Sequence, residues 1–216
     1  FNGYFIIRYE KNPEKYGVYQ DSLVLSGKTS IGESIKIGAY IGFRVKDKES
    51  VLIKAASSFV SFEGAEKNLN SEIQNWNFAG VKSRLEKDWE QQLGKIEVRG
   101  DRREKEKFYG ALYRTSFLPH VFNDVDGAYP AFSKGTPICY TQKGDYYADF
   151  SMWDTYRALH PLLTIIDTVR EGDMVRSLID KYNQGGWLPI FPCWNSYTAA
   201  MIGDHSISVI GDAIMK

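Results

Sequence analysis

Trp153 and Asp154 stand side by side in "DYYADFSMWDTYRALHPL" (145–162), where a polar, ring-rich stretch gives way to an apolar helical pattern. An indole presents a flat apolar face and a carboxylate accepts hydrogen bonds. The pair therefore suits a ligand that has both a C–H face and hydroxyl groups, which is the chemistry of a sugar. Asp is also a favoured helix N-cap. Met152 and Trp153, however, read as helical with Tyr156, Leu159 and Leu163, which sets Asp154 inside the first turns, where no cap is required. Cap and ligand contact both stand at this point. Asp204 opens "DHSISVIGDAIMK", where an N-cap is the plainer reading, and His205 is free to face a cleft or the core. His160, before Pro161 on an apolar helix, reads as a hydrogen-bonded core histidine.

Other chemistries lack their residues. No G-x-S-x-G elbow accompanies the histidines, which argues against a Ser–His–Asp hydrolase. Three His and two distant Cys do not supply zinc spacing. Asp124 and Asp126 in "NDVDGAYP" are spaced like metal ligands, but the further acids and closing Glu of an EF-hand loop are missing, so the expected role is an aspartate-stabilised turn. The glycines of "QGGWLPIFPCWNSY" (184–197) have no phosphate-binding spacing, and Trp187, Phe191 and Trp194 read as a cleft wall. Cys139 and Cys193 are read as free buried thiols, with a disulfide as the alternative in an oxidising compartment.

Lys plus Arg and Asp plus Glu each number 27, so the basic excess of a nucleic-acid binder is missing. "DRREKEKFYG" (101–110) alternates in sign, as a solvated helix face does. No run approaches the length of a membrane span. The fold class is α+β, in three stretches. Residues 1–64 read as strands ("GYFIIRYE", "SIKIGAYIGFRV", "SVLIKAASSFVSF"), with one buried face and a bulge near Ile35, Ile37, Tyr40 and Gly42; they are taken as the C-terminal part of a β-sandwich. Residues 65–100 read as a helical linker of two amphipathic helices joined near "NFAG", on the spacing of Ala65, Leu69, Ile73 and Trp76, then Val81, Leu85, Trp89 and Leu93, with Gly94 as a stop. Residues 101–216 are mostly helical. "SMWDTYRALHPLLTIID" is expected as one helix and "REGDMVRSLIDKYNQGG" as the next, while the loops 121–148 and 187–203 are long enough to carry function.

"DVDGAYP", "DFSMWDTYRALHPLLTII", "SLIDKYNQGGWLPIF" and "MIGDHSISVIGDAIMK", in this order and spacing, closely resemble the calcium-dependent α-mannosidases of glycoside hydrolase family 92. The resemblance covers nearly the whole chain. It implies a β-sandwich, a helical linker and the first helices of an (α/α)6 toroid, so that 101–216 is the N-terminal portion of the catalytic domain. It also implies hydrolysis of terminal α-linked mannose with inversion, a periplasmic or secreted enzyme, and Ca2+ as cofactor, with most ligands expected outside this stretch. Trp153 and Asp154 match residues that hold the terminal mannose, and Asp204 and His205 match a stretch lining the same pocket. No residue matches the general acid or base, so a fragment without turnover of its own is expected. The expected partners are a mannose-containing glycan and either the remainder of a parent chain or another chain covering exposed helix faces. Another (α/α)6 glycosidase or a non-catalytic carbohydrate-binding protein are the alternatives.

Overall fold

The computed structural model describes residues 2–216, which form two compact units: Ile7–Ala55, and the residues up to Ile6 together with Ala56–Lys216. The strands are β1 (Tyr4–Tyr9), β2 (Lys15–Gln20), β3 (Leu23–Ser26), β4 (Ile37–Gly42) and β5 (Ile53–Ser58). β1 pairs with β5, and β2 lies between β3 and β4 in an antiparallel sheet. Burial in this sheet falls on Gly17 and Val18 of β2 and not on the residues expected to supply it: Ile35 precedes β4 and is 97% exposed, and Ile37 is also exposed. No bulge interrupts β4 either, since its six residues face β2 in unbroken register from Lys15↔Gly42 to Gln20↔Ile37. Alternating apolar residues report which side chains share a face, but not whether anything packs on it.

The larger unit begins its helices with α1 (Phe62–Glu72) and α2 (Phe78–Leu93). Ser61 accepts from Gly64 N–H at 3.0 Å and Asn77 from Gly80 N–H at 2.9 Å, each satisfying an amide that the helix leaves unpaired. Gly94 ends α2 as expected. α3 (Arg102–Arg114) is capped by Asp101, and Tyr113 on it meets Trp89 of α2 at 4.5 Å between ring centroids, so that tryptophan is an interface residue.

The loop 121–148 is built as nested antiparallel ribbons: β6 (His120–Val121) with β9 (Tyr147–Ala148), and within them β7 (Ala128–Pro130) with β8 (Ile138–Tyr140). The helix expected over 151–167 is two: α4 (Met152–Thr155) and α5 (Leu159–Ile166). Pro161 supplies the reason. Its ring conflicts with the carbonyl four residues back, that of Arg157, so a helix cannot run through, whereas proline is tolerated in a first turn. α6 (Thr168–Gly185) follows after Asp167 alone and ends at Gly186, whose φ of 87° is the left-handed stop that glycine adopts without a Cβ clash. The ribbon β10 (Pro192–Cys193) and β11 (Ser196–Tyr197) and then α7 (His205–Met215) complete the chain. Met174, Val175 and Leu178 of α6 pack with Phe150, Met152, Leu163 and Val209 to form the main core, onto which α4, α5 and α7 close.

Candidate ligand-binding site

Trp153 and Asp154 occupy the second and third positions of α4, and His205 opens α7. Folding brings the two ends together. The His205 imidazole stacks flat on Tyr156, with centroids 4.1 Å apart and 3° between planes, and leans on Trp153 at 5.3 Å. The Arg157 guanidinium lies over both rings, 5.2 Å from the Trp153 centroid and 4.8 Å from that of Tyr156. Trp153 is half-buried and Asp154 is exposed, so the indole and acid are not sunk in hydrocarbon. Asp154 accepts a hydrogen bond of 2.6 Å from the Ser151 hydroxyl, and its second oxygen has no hydrogen-bond partner among the described residues. Neither aspartate caps its helix by side chain. Asp204 sits at the N-cap position of α7, where its backbone carbonyl accepts from Ile207 N–H at 3.0 Å, but its carboxylate is exposed and makes no cap bond.

The structure thus gathers Trp153, Asp154 and His205 at one place and sets Asp204 beside them in the chain. His205 Nε2 is buried and has no hydrogen-bond partner. Gly203, with φ of 93°, lies against it; any Cβ there would come within 2.6 Å of Nε2. Tyr156 and Arg157 were not singled out from the sequence. Their only signal was their position three and four residues after Trp153.

The 187–203 loop is fastened to the same helices. Met152 N–H donates to Ile190 O at 3.0 Å and Ser206 Oγ to Pro189 O at 2.6 Å. Asp149 holds it further on, accepting from Trp194 N–H at 2.6 Å while its other oxygen meets His120 Nδ1 at 3.2 Å. Trp187 and Phe191, with Tyr197 and Met201, border an apolar cavity of about 310 Å³, which agrees with the expected cleft wall; Trp194 lies outside that lining and is exposed.

The remaining candidates are structural. His160 is a core histidine, its Nδ1 3.0 Å from both carboxylate oxygens of the buried Glu171. Asp124 is buried and accepts from Ser58 Oγ (2.7 Å) and Asn68 Nδ2 (2.8 Å), while Asp126 pairs with Lys67 at 2.7 Å and accepts from Ala128 N–H. With Gly127 at φ 83° this is the aspartate-stabilised turn, and the two acids serve different partners. Cys139 and Cys193 are free and partly buried. Among the described residues no three His, Cys, Asp or Glu side chains converge as metal ligands. No described helix is long and apolar enough to cross a membrane.

Residues 64–216 match the Glycosyl hydrolase family 92 catalytic domain. The structure superposes on a family GH92 alpha-mannosidase from Bacteroides thetaiotaomicron with TM-score 0.85 and 31% identity, over 96% of this chain and 29% of that one. A family GH92 inverting mannosidase from the same organism gives TM-score 0.88 and 28% identity, over 99% of this chain and 29% of that one. An uncharacterized secreted glycosidase of Arthroderma benhamiae is 24% identical over 191 residues, 84% of this chain and 20% of its own length. The chain therefore spans less than a third of the length of these relatives.

Proposed function

Because this chain belongs to glycosyl hydrolase family 92, we propose that it supplies part of the terminal-mannose pocket of an inverting α-mannosidase. The observation that carries this is the meeting of α4 and α7, which sets the Trp153 indole and His205 imidazole 5.3 Å apart, with the exposed Asp154 next to Trp153 in the chain. In this reading Trp153 stacks on the C–H face of the sugar and Asp154 accepts from its hydroxyls. Asp204 and His205 close the same pocket. The solved relatives lend support, since one of them is a complex with mannoimidazole.

On the same reading, residues 1–64 belong to a β-sandwich, 65–100 to a helical linker and 101–216 to an (α/α)6 toroid. Inversion requires one carboxylic acid to protonate the departing oxygen and one carboxylate to activate water, about 6.5–9.5 Å apart. No residue of this chain is assigned to either role, and this stretch alone is expected to show no turnover. Ca2+ is carried over from the family, with ligands beyond those described, and no step is routed through it. Ile165, Val169, Ile207, Ile214 and Met215 expose apolar surface on α5, α6 and α7, which suits cover by more of a parent chain or by another chain. A periplasmic or secreted location is consistent with the secreted fungal relative.

The test is Asp154→Ala in the full-length protein, assayed on defined mannobioses with and without a calcium chelator. Hydrogen bonds to a charged acceptor are worth about 1.5–3 kcal/mol, so kcat/KM falls about 10- to 100-fold with stability nearly kept. Unchanged kinetics with a lowered melting temperature would leave Asp154 only its bond to Ser151.

A further inference from the structure

A cleft of about 430 Å³ opens between the β8–β9 connection and α6, and Trp153, Asp154, Asp204 and His205 take no part in its lining. Two polar groups there have no hydrogen-bond partner among the described residues. The Asp180 carboxylate is half-buried with no hydrogen bond or ion pair, and burial raises its pKa against the opposing pull of Lys181 and Arg176. The Tyr146 side chain is 1% exposed and its hydroxyl is buried without a hydrogen bond. Burial pushes its pKa up, and Tyr146 is among the residues that line the cleft. At the rim, Tyr140 offers a ring that is 59% exposed.

The walls are fixed in advance. Buried Asp173 accepts from Asp145 N–H at 3.3 Å on the loop and pairs with Arg176 on α6. Gly144, with φ of 65°, comes so near that a Cβ would lie 2.1 Å from Asp173 Oδ1. Charge then narrows the ligand. Lys143 and Arg176 balance Asp145 and Asp180, so the lining has no net charge to attract an anion or a cation. An exposed ring, an unpaired carboxylate and an orphan phenol in a neutral, preformed cleft match a neutral polyhydroxylated ring.

We propose that this cleft is a second saccharide-binding site, in which Asp180 and Tyr146 hydrogen-bond sugar hydroxyls and Tyr140 stacks on the ring. The site does not depend on Trp153 or Asp154. It is tested by hydrogen–deuterium exchange on the full-length protein, titrated with methyl α-D-mannopyranoside and, separately, with α1,2-mannobiose. Peptides spanning 138–147 and 174–182 gain saturable protection in the wild type and in Asp154→Ala. Asp180→Asn, which loses a charged acceptor, weakens the affinity read from that protection about tenfold. Tyr146→Phe also weakens it and does not lower the melting temperature, because the hydroxyl it removes has no protein partner. Absence of protection with both probes, equal affinity in the two cleft variants, a destabilised Tyr146→Phe, or loss of the signal in Asp154→Ala would each overturn the proposal. Loss of hydrolysis in Asp154→Ala with this protection retained separates the two sites.

Discussion

Gly64→Ala makes a sharp test of the buried contacts around Asp124. In the first turn of a helix, Ala is ordinarily preferred to Gly, by up to about 1 kcal/mol in a helix interior. Here a Cβ at position 64 would stand 2.2 Å from Asp124 Oδ2 and 2.7 Å from Ser58 Oγ. Those two atoms are themselves hydrogen-bonded at 2.7 Å, and the other Asp124 oxygen accepts from Asn68 Nδ2. The carboxylate must move, and hydrogen bonds to a charged acceptor are worth about 1.5–3 kcal/mol each. Losing even one outweighs the helical gain, so Gly64→Ala should cost about 1–2 kcal/mol. Asp124→Ala alone should cost about 3–5 kcal/mol, since it strands Ser58 and one Asn68 bond in a buried place. Combined, the two should cost less than their sum by about 2 kcal/mol, because the alanine then enters vacated space. Urea unfolding of the wild type, both single variants and the double variant reads this coupling. Additive losses, or a stabilised Gly64→Ala, would refute the placement of Asp124 against α1.

Lys181 is 0% exposed, and its Nζ donates to Tyr147 O at 2.5 Å beneath the Tyr146 ring. Burial drives its pKa well below the usual lysine value. The unfolded chain then binds the extra proton, so this residue lowers stability below the unfolded lysine pKa, and the penalty shrinks as pH rises toward it. Lys181→Met should raise the melting temperature and flatten its rise as pH climbs toward the unfolded lysine pKa; an unchanged slope on that approach would count against a depressed Lys181 pKa. Glu171→Ala leaves His160 buried beside an empty space and should cost about 3–5 kcal/mol, measured by the same unfolding titration; a loss under about 1 kcal/mol would mean the pair is not buried as described.

The helical half was largely legible because burial recurs at helical spacing: Ala65 and Leu69 on α1, and Met174, Val175 and Leu178 on α6, all face inward. The stops at Gly94 and Gly186 were legible from glycine alone. Pro161 announced the break before α5, but the apolar spacing of Trp153, Tyr156 and Leu159 continued across it and concealed the change. The exposed Ile35 and Ile37 show the limit of alternation, since burial is decided by whatever packs on a sheet. At the candidate site, residue types marked Trp153 and Asp154, whereas the stacking of Tyr156 on His205 joins distant segments and left no local trace. The cleft at Asp180 and Tyr146 was missed for a related reason: an orphan group is defined by what fails to reach it, and that is a property of the folded chain.

Asp167 is the sole residue between α5 and α6, and its carboxylate is held from outside by Lys95 at 2.6 Å, with Gln92 at 3.5 Å. A corner one residue long, clamped by a third segment, has no slack to act as a joint. α5 and α6 therefore meet at a corner whose angle is pinned by Gln92 of α2 and by Lys95 just beyond it. The unwound step of Tyr156–Arg157–Ala158 is held in its own way, by the stacking of Tyr156 on His205 and of Arg157 over Trp153, so both ends of α5 are tied to other segments.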